Sequence, residues 1–439
     1  MQWLIRHMDM QYLIAMLVCV TALASYLNHR FVKLPKSIGL TVISLALSLF
    51  IMAALAVGQQ WLEPLRNILA GVNFSHAVMN GMLSYLLFAN ALHINSVELS
   101  QHRKMVGTLA TVSVLMSCLL IGFLLWVIAS SFGVHFDLIY FLLFGALIAP
   151  TDPVCVINAM KTCKVPPSIR MRITGEALFN DAAGILLFVV LVQVLDGQVK
   201  DLSPYKIALE LVRQGLGGIV FGYLLGRFVA FFIRRANEEE AAILLTLALT
   251  TGGYILALHL GVSGPISMVI AGLVIGHSCR RPHFSANTTK QLYNFWDLVD
   301  SMLNSFLFTM IGLELLSIDT GFFSLLLGVI AFGIIIIARL VSVGMPMVIL
   351  EPLKKFNWRT LTVMTWGGMR GGVSIALALS MPDTPGKSTV LSITYGVVIA
   401  SIVVQGLSLQ PMLNKLFPRK PAKAPTPPKD YVIHNKPNI

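Results

Sequence analysis

The sequence predicts an all-α polytopic membrane protein. Of its 439 residues, 56% are hydrophobic and 12% are charged, whereas soluble domains carry about 25% charged residues. Apolar runs of about 20 residues, the length that a helix needs to cross a bilayer, recur along the chain. Strands of a membrane barrel would instead alternate polar and apolar residues over roughly ten positions. The repeated runs therefore indicate a bundle of membrane-spanning helices.

Apolar runs bounded by charged residues, proline or glycine define thirteen candidate spans. They cover residues 11–27, 38–58, 74–94, 105–131, 136–160, 168–195, 205–233, 239–259, 262–279, 291–315, 321–350, 357–381 and 388–415. The fifth and twelfth spans are interrupted. If the seventh span is a linker, each interrupted span is the fifth member of a six-helix half, and the two halves are antiparallel. Inverted repeats with paired discontinuous helices are a transporter architecture.

The loops between these spans test the assignment, because cytoplasmic loops carry an excess of lysine and arginine. One side of the predicted membrane collects Arg30, Lys33, Lys36, Arg103, Lys104, Lys161, Lys164, Arg170, Arg172, Arg234, Arg235, Arg280, Arg281, Lys290, Lys354, Lys355, Arg359 and the basic residues of the C-terminal tail. The opposite side holds only Arg6, Arg66, Lys200, Lys206 and Lys387. The sequence therefore predicts that the N-terminus lies outside and the C-terminus lies in the cytoplasm.

Net charge and cysteine spacing exclude other classes of protein and site. The formal net charge of +12 belongs largely to the predicted cytoplasmic loops, so we expect no nucleic-acid partner. The five cysteines are scattered and lack the spacing of a disulfide framework or a zinc site. After Phe417 the chain is rich in proline and lysine and has too few apolar residues to fold by itself. We expect a transmembrane transport domain over residues 1–416 and a disordered cytoplasmic tail over residues 417–439.

The fifth span is interrupted by Ala149-Pro150-Thr151-Asp152-Pro153. Pro150 and Pro153 each remove a backbone donor and clash with the preceding turn, so a helix must break here. The freed carbonyl groups need partners that lipid cannot supply, and a break at this depth therefore indicates a cavity. Asp152 also indicates a functional site, because a carboxylate in the hydrocarbon region costs at least about 2.5 kcal/mol. Asp152 could also simply cap the second half-helix, a role that is compatible with ion binding.

The sixth span contains a second carboxylate, within Glu176-Ala177-Leu178-Phe179-Asn180-Asp181. Counted from the loop between the two spans at about 1.5 Å per residue, Asp152 and Asp181 both lie roughly 14 to 20 Å into the bilayer. This depth is near the middle of the membrane, where packing alone hardly explains two carboxylates. Isolated anions there would be neutralised by a proton or paired with a cation. The two spans therefore predict a carboxylate site for a cation or a proton.

The twelfth span contains the second interruption, Gly367-Gly368-Met369-Arg370-Gly371-Gly372. Glycine weakens a helix interior by about 1 kcal/mol per residue, so these four glycines predict a break. Their spacing equally suits close helix packing through two GxxxG pairs. Arg370 and Arg339 are the deepest basic residues within the spans, whereas Arg213 lies near a span end and suits a local pair with Glu210.

Four motifs, taken in order, resemble those of the monovalent cation:proton antiporters, the group of bacterial sodium/proton antiporters and animal sodium/proton exchangers. They are Thr151-Asp152-Pro153, Glu176-Ala-Leu-Phe-Asn180-Asp181, Phe306-Leu-Phe-Thr-Met-Ile-Gly312-Leu and Gly368-Met-Arg370-Gly-Gly. The resemblance covers about residues 10–415. It implies a homodimer of thirteen-helix protomers in a lipid bilayer. In each protomer a mobile core bundle, about residues 105–195 and 321–415, would carry the crossed discontinuous helices past a dimerisation scaffold formed by the remaining helices.

The resemblance also implies which residues bind the ion. The ligands of the monovalent metal cation would be Asp181, Asp152 and the Thr151 backbone, and Asn180 would brace the site. One departure concerns Ala177. Several relatives carry serine at this position, where its hydroxyl can help to coordinate the ion, so the cation preference of this chain does not follow from the motif.

The same resemblance implies a buried ion pair between Glu176 and Arg339, with Arg370 at the helix crossing. The Asn180-Asp181 pair is similar to the electroneutral branch of these antiporters, which implies one cation per proton. We therefore expect a secondary active transporter of the bacterial inner membrane rather than an enzyme. It would exchange Na⁺, or alternatively Li⁺ or K⁺, for H⁺ through Asp181, without a cofactor.

Two other functions rely on similar structural features. A sodium-coupled symporter of organic solutes can share the broken helices, but it would need a wider polar cavity than the Asn180-Asp181 pair suggests. An intramembrane aspartyl protease needs two aspartates on neighbouring helices. The Tyr-Asp and Gly-x-Gly-Asp contexts of such proteases are absent from this sequence.

Overall fold

The fold is described from a computed structural model. The structure describes residues 2–59, 63, 66, 74–133, 136–161, 163, 165–197, 204–236, 238–281, 284–316, 322–350 and 357–418. Throughout these ranges the regular structure is helical, and no strand is present in them. The all-α prediction is therefore confirmed. The predicted disordered tail lies outside the described residues from position 419 onward.

The principal helices follow the predicted spans. They are α1 (Gln2–Leu27), α2 (Lys36–Ala56), α3 (Leu83–His93), α4 (Val114–Ser131), α5 (Leu138–Ile148), α6 (Val154–Lys161), α7 (Pro167–Leu195), α8 (Pro204–Ala236), α9 (Glu239–Ala248), α10 (Gly264–Cys279), α11 (Ala286–Leu313), α12 (Phe322–Leu350), α13 (Trp358–Trp366), α14 (Gly372–Leu379), α15 (Lys387–Ala400) and α16 (Gly406–Leu416). Short π-helical segments lie at Ala77–Met82, Leu109–Ser113, Leu249–Gly253 and Ser401–Gln405, where continuous helices are predicted.

Nine helical segments of the described chain are long and apolar enough to cross a membrane. The helices α5 and α10 are also apolar but have only 11 and 16 residues. The polytopic membrane class is confirmed. The count of thirteen spans and the inverted repeat stay predictions, because the fifth and twelfth spans are each divided into two short helices.

Both predicted interruptions are present. The first half-helix, α5, ends at Ile148, and α6 begins at Val154 after the two prolines. The helix α13 ends at Trp366 and α14 begins at Gly372, so Gly372 is the first residue of the following helix rather than part of the break. The breaks touch one another, because the Asp152 amide donates to the Met369 carbonyl oxygen at 2.8 Å. The two discontinuous helices therefore cross, as predicted.

The helices pack in two groups around this crossing. In one group α8 packs on α10, α10 on α3, and α11 on α2. In the other, α4 packs on α5 and α12, α12 on α15, and α7 on α5. The half-helix α14 contacts both α5 and α11. The crossing therefore lies beside the boundary between the two groups.

Candidate functional site

The carbonyl groups freed by the first break are bound by two side chains from elsewhere in the chain. Arg370 donates from Nη1 to the carbonyl oxygens of Ala149 at 2.8 Å and Pro150 at 3.1 Å. Asn180 donates from Nδ2 to the Ala149 carbonyl oxygen at 2.9 Å. Arg370 and Asn180 are each only 1% exposed. These two donors replace the water that the membrane interior lacks, and they hold the break open.

A π-helical segment, Ser401–Gln405, supports the second break. The Arg370 amide donates to Ser401 Oγ at 2.9 Å, and the Ser401 hydroxyl is hydrogen-bonded to Gln405 Oε1. Gln405 also donates from Nε2 to the Trp366 carbonyl oxygen at 3.1 Å. Sequence reasoning missed this support. Its signal is a pair of polar residues, Ser401 and Gln405, four positions apart within an apolar span.

Each of the two predicted aspartates receives one backbone hydrogen bond. Asp181 Oδ1 accepts from the Thr151 amide at 2.9 Å. Asp152 Oδ1 accepts from the Val154 amide at 2.8 Å, which is the capping role considered above. Among the described residues, no hydrogen bond involves the second carboxylate oxygen of either aspartate. Each carboxylate can therefore offer one oxygen to a cation or a proton.

The two aspartates line one small cavity. Asp152, Asp181 and Thr151 line a cavity of about 50 Å³, which is comparable to the roughly 30 Å³ that one water molecule occupies in the liquid. Asn90 and Asn304 line this cavity and also a wider one of about 620 Å³. The shared lining places the two cavities side by side, so the wide cavity is an approach to the aspartates.

Acidic side chains line the wide cavity. Asp297 lies 3.1 Å from His93 Nε2, and Asp300 Oδ1 accepts from Asn304 Nδ2 at 2.9 Å. Lys36 donates to the Ser301 hydroxyl at 2.9 Å on the same wall. Asp297 and Asp300 precede the apolar part of the tenth predicted span, so they could serve either a cation funnel or a solvated helix start. Their position on the cavity wall favours the funnel, since acidic walls raise the local concentration of cations.

Glu176 and Arg339 form a buried ion pair away from the cavity. Arg339 Nη2 lies 2.7 Å from Glu176 Oε1 and 2.8 Å from Oε2. The two residues are 2% and 4% exposed, respectively. Asn180 Nδ2 also donates to Glu176 Oε1 at 3.3 Å. The pair joins α7 to α12, and neither residue lines the small cavity.

Glycines allow the close approach of the crossing elements. A Cβ atom at Gly371 would lie 3.1 Å from the Asp152 Oδ2 atom, and one at Gly368 would lie 2.8 Å from Arg339 Nε. A Cβ atom at Gly367 would lie 3.1 Å from a Val156 side-chain carbon. Close packing and the break therefore coexist at this motif.

Two of the residues that sequence reasoning singled out stand apart from the cavity. Ala177 is buried but does not line it. Arg213 lies on α8 and pairs with Glu210 at 3.4 Å, which is the local pair considered above.

The fold is similar to that of a solved structure. It matches the sodium proton antiporter MjNhaP1 from Methanocaldococcus jannaschii at pH 8 with a TM-score of 0.71 and 20% identity, over 94% of this chain and 99% of that chain. At this level of identity the match shows the arrangement of helices and nothing about the transported ion.

Sequence comparison extends over nearly the whole chain. The Na⁺/H⁺ antiporter NhaP of Pseudomonas aeruginosa is 38% identical over 415 residues, covering 93% of this chain and 97% of that protein. The Na⁺/H⁺ antiporter NhaH of Halobacillus dabanensis is 30% identical, covering 92% of this chain and 96% of that protein. Residues 17–415 match the family model described as sodium/hydrogen exchanger, transmembrane. The chain therefore belongs to the sodium/hydrogen exchanger family of membrane transporters.

Proposed function

We propose that this protein exchanges a monovalent cation for H⁺ across the membrane, with Na⁺ as the first candidate and Li⁺ or K⁺ as alternatives. The observation that carries the proposal is the pair of aspartates, Asp152 and Asp181, at one cavity of about 50 Å³. Each has a carboxylate oxygen that is free of hydrogen bonds to the described residues. The names of the relatives, Na⁺/H⁺ antiporters, support the same function. Asp181 is the group that both ions use, and Asp152, Thr151 and Asn180 assist it.

The charges at the crossing support one cation per proton. Glu176 and Arg339 neutralise one another in their ion pair. Arg370 offsets one of the two aspartates, so these five ionisable groups carry a net charge of −1 when all are ionised. One monovalent cation or one proton restores neutrality, whereas both together would leave an uncompensated positive charge in a medium of low dielectric constant. The exchange is therefore electroneutral.

The cost of placing an uncompensated charge in the membrane also explains alternating access. A bare carboxylate in the hydrocarbon region costs at least about 2.5 kcal/mol, so the site crosses only when a cation or a proton occupies it. The moving part is the core bundle, residues 105–195 and 321–415, which includes both interrupted helices. The packing of α4, α5, α7, α12 and α15 on one another supports this division. The remaining helices form the scaffold, through which two protomers join as a homodimer in the lipid bilayer.

The wide cavity indicates the side to which the site is open. Lys36 and Arg170 line it, and both belong to the basic set that the sequence assigns to the cytoplasm. We therefore propose an inward-open state, with the N-terminus outside and the C-terminus inside as the sequence predicts. Because the relatives from Pseudomonas aeruginosa and Halobacillus dabanensis are bacterial, we assign the protein to a bacterial cytoplasmic membrane.

The test is exchange in proteoliposomes that contain the purified protein and an internal pH dye. An imposed Na⁺ gradient should change the internal pH without a change in membrane potential. A symporter of organic solutes would need a solute for sodium uptake, and the small cavity beside the aspartates leaves it little room. A protease would cleave a membrane peptide in the absence of any gradient. Failure of every monovalent cation to drive a pH change would contradict the proposal.

Ala177→Ser is expected to shift the cation preference without abolishing exchange. Residue 177 does not itself line the small cavity, but it lies one helical turn from Asp181 on the same face of α7. A serine hydroxyl extends beyond the alanine methyl group, so we expect it to reach the bound ion as an additional oxygen ligand. One neutral ligand corresponds to a change of roughly three- to tenfold in apparent affinity. Apparent KM values for Na⁺, Li⁺ and K⁺ measure the shift. Ala182→Ser is the matched control, because this equally buried residue of α7 points about 140° away from residue 177. Identical affinities in wild type and Ala177→Ser would show that residue 177 does not face the ion.

A further inference from the structure

Ser374 lies on the wall of the small cavity. Ser374 is 1% exposed, and its Oγ atom has no hydrogen-bond partner among the described residues. The residue lines the cavity together with Asp152 and Asp181. Burying a hydroxyl without a hydrogen-bond partner is unfavourable in proteins. Such a group at a cavity of this kind indicates a partner that enters from the cavity.

Other buried polar atoms near the crossing do not share this position. Within the described part of the chain, Asn180 Oδ1, Arg339 Nε and Arg370 Nε also have no hydrogen-bond partner, but none of these residues lines the small cavity. Of all the described residues with a buried unpaired side-chain atom, Ser374 is the one on this wall. The cavity therefore distinguishes Ser374 from the other unpaired groups.

The backbone places Ser374 beside the aspartates. It is the third residue of α14, and its amide donates to the Gly371 carbonyl oxygen at 3.3 Å, which closes the first turn of that helix. A Cβ atom at Gly371 would lie 3.1 Å from Asp152 Oδ2. Gly371, the residue immediately before α14, therefore lies close to the free oxygen of Asp152. Asp152 and Thr151 come from the first interrupted helix, whereas Ser374 comes from the second.

We propose that the Ser374 hydroxyl is a ligand of the transported cation, so that both interrupted helices contribute oxygen atoms to the site. This inference rests on the proposed cation:proton exchange. A hydroxyl oxygen has two lone pairs and can offer one to a metal cation, whereas a proton on a carboxylate needs no such set of ligands. Ser374 therefore favours the cation over the proton. Because ligand number and cavity size determine cation selectivity, it also affects the choice among cations.

Ser374→Ala tests the proposal in two ways. In proteoliposomes at one fixed pH, the apparent KM for Na⁺ should rise roughly three- to tenfold with little change in maximal rate, as expected for the loss of one neutral ligand. The loss should be smaller for Li⁺, which is smaller and needs fewer oxygen ligands. In detergent without sodium, the variant should be at least as heat-stable as wild type, because it lacks an unpaired buried hydroxyl. Added NaCl should raise its melting temperature less than that of wild type, when choline chloride keeps the ionic strength constant.

Ser44→Ala is the matched control. Ser44 is also buried, and its hydroxyl has no hydrogen-bond partner among the residues that the structure describes, but it lies on α2 and does not line the cavity. It should leave the KM, the selectivity and the sodium-dependent stabilisation unchanged. If Ser374→Ala does not fold, Ser374→Cys serves instead, since sulfur has a similar size and is a poor ligand for a hard cation.

The outcomes separate this inference from the proposed function. Wild-type KM, cation selectivity and sodium-dependent stabilisation in a folded Ser374 variant would overturn the role of Ser374 and leave the exchange function intact. A wild-type protein that neither exchanges cations for protons nor gains stability from any of them would instead overturn the proposed function, and the Ser374 inference with it.

Discussion

Asp181→Asn is expected to abolish coupled exchange while the protein still folds. Asparagine keeps the shape of aspartate, and its side-chain oxygen can still accept the Thr151 amide that Asp181 Oδ1 accepts at 2.9 Å. The amide carries no charge at neutral pH, so it takes up no proton and cannot compensate the charge of a sodium ion. Sodium-driven pH changes in proteoliposomes should therefore fall to the level of liposomes without protein.

Two further variants serve as comparisons for Asp181→Asn. Asp152→Asn should weaken exchange heavily but keep its cap on α6, because asparagine also caps helices well. Asp383→Asn changes a side chain that is 98% exposed and paired with Lys387, so it should exchange like wild type. A folded Asp181→Asn protein that exchanges at the wild-type rate would show that Asp181 is not the shared group.

The wild-type protein should show competition between protons and sodium at this group. Lowering the pH raises the proton concentration, so more of the protein holds a proton on Asp181 and more sodium is needed to displace it. The apparent KM for Na⁺ should therefore rise as the pH falls, with little change in the maximal rate. Initial rates over a range of Na⁺ concentrations at several pH values measure this. A KM that does not change with pH would mean that the two ions bind at separate groups.

The second large effect concerns stability and the buried pair of Glu176 and Arg339. Both Glu176 oxygens lie within 2.8 Å of Arg339 Nη2, and the pair is almost fully buried. Removing one partner leaves an uncompensated charge in the membrane interior and should cost roughly 3 to 5 kcal/mol. Glu176→Gln and Arg339→Ala should therefore each lower the thermal stability strongly, and the double variant should be more stable than the sum of the two losses predicts.

Thermal unfolding in detergent measures all three proteins. The exposed pair Asp383 and Lys387 is the matched control, because solvent screens an exposed pair and its removal should change stability little. If the stability losses of the two single variants simply add up in the double variant, the pairing of Glu176 and Arg339 is contradicted. Arg370 would then be the other candidate partner, although its Nη1 atom already donates to two carbonyl oxygens.

Much of the fold follows from the sequence for local reasons. The membrane class depends on composition and on run length, which need no knowledge of contacts. The first break follows from Pro150 and Pro153, since proline prevents a continuous helix wherever it occurs in the interior. The cap that Asp152 makes on Val154 is equally local, because it spans only two residues. The prediction that the two aspartates lie at equal depth rests on the helical rise alone.

The tertiary structure decided which distant groups meet. Glu176 and Arg339 are 163 residues apart, and their pairing could be proposed beforehand from a family resemblance but not from their spacing. Arg370 binds the carbonyl of Ala149, which is 221 residues away. No local pattern distinguishes Ser374 from the other serines within the spans. Such contacts depend on where two interrupted helices cross and how the surrounding helices pack. Those positions are set by side-chain packing over the whole bundle rather than by any short stretch of sequence.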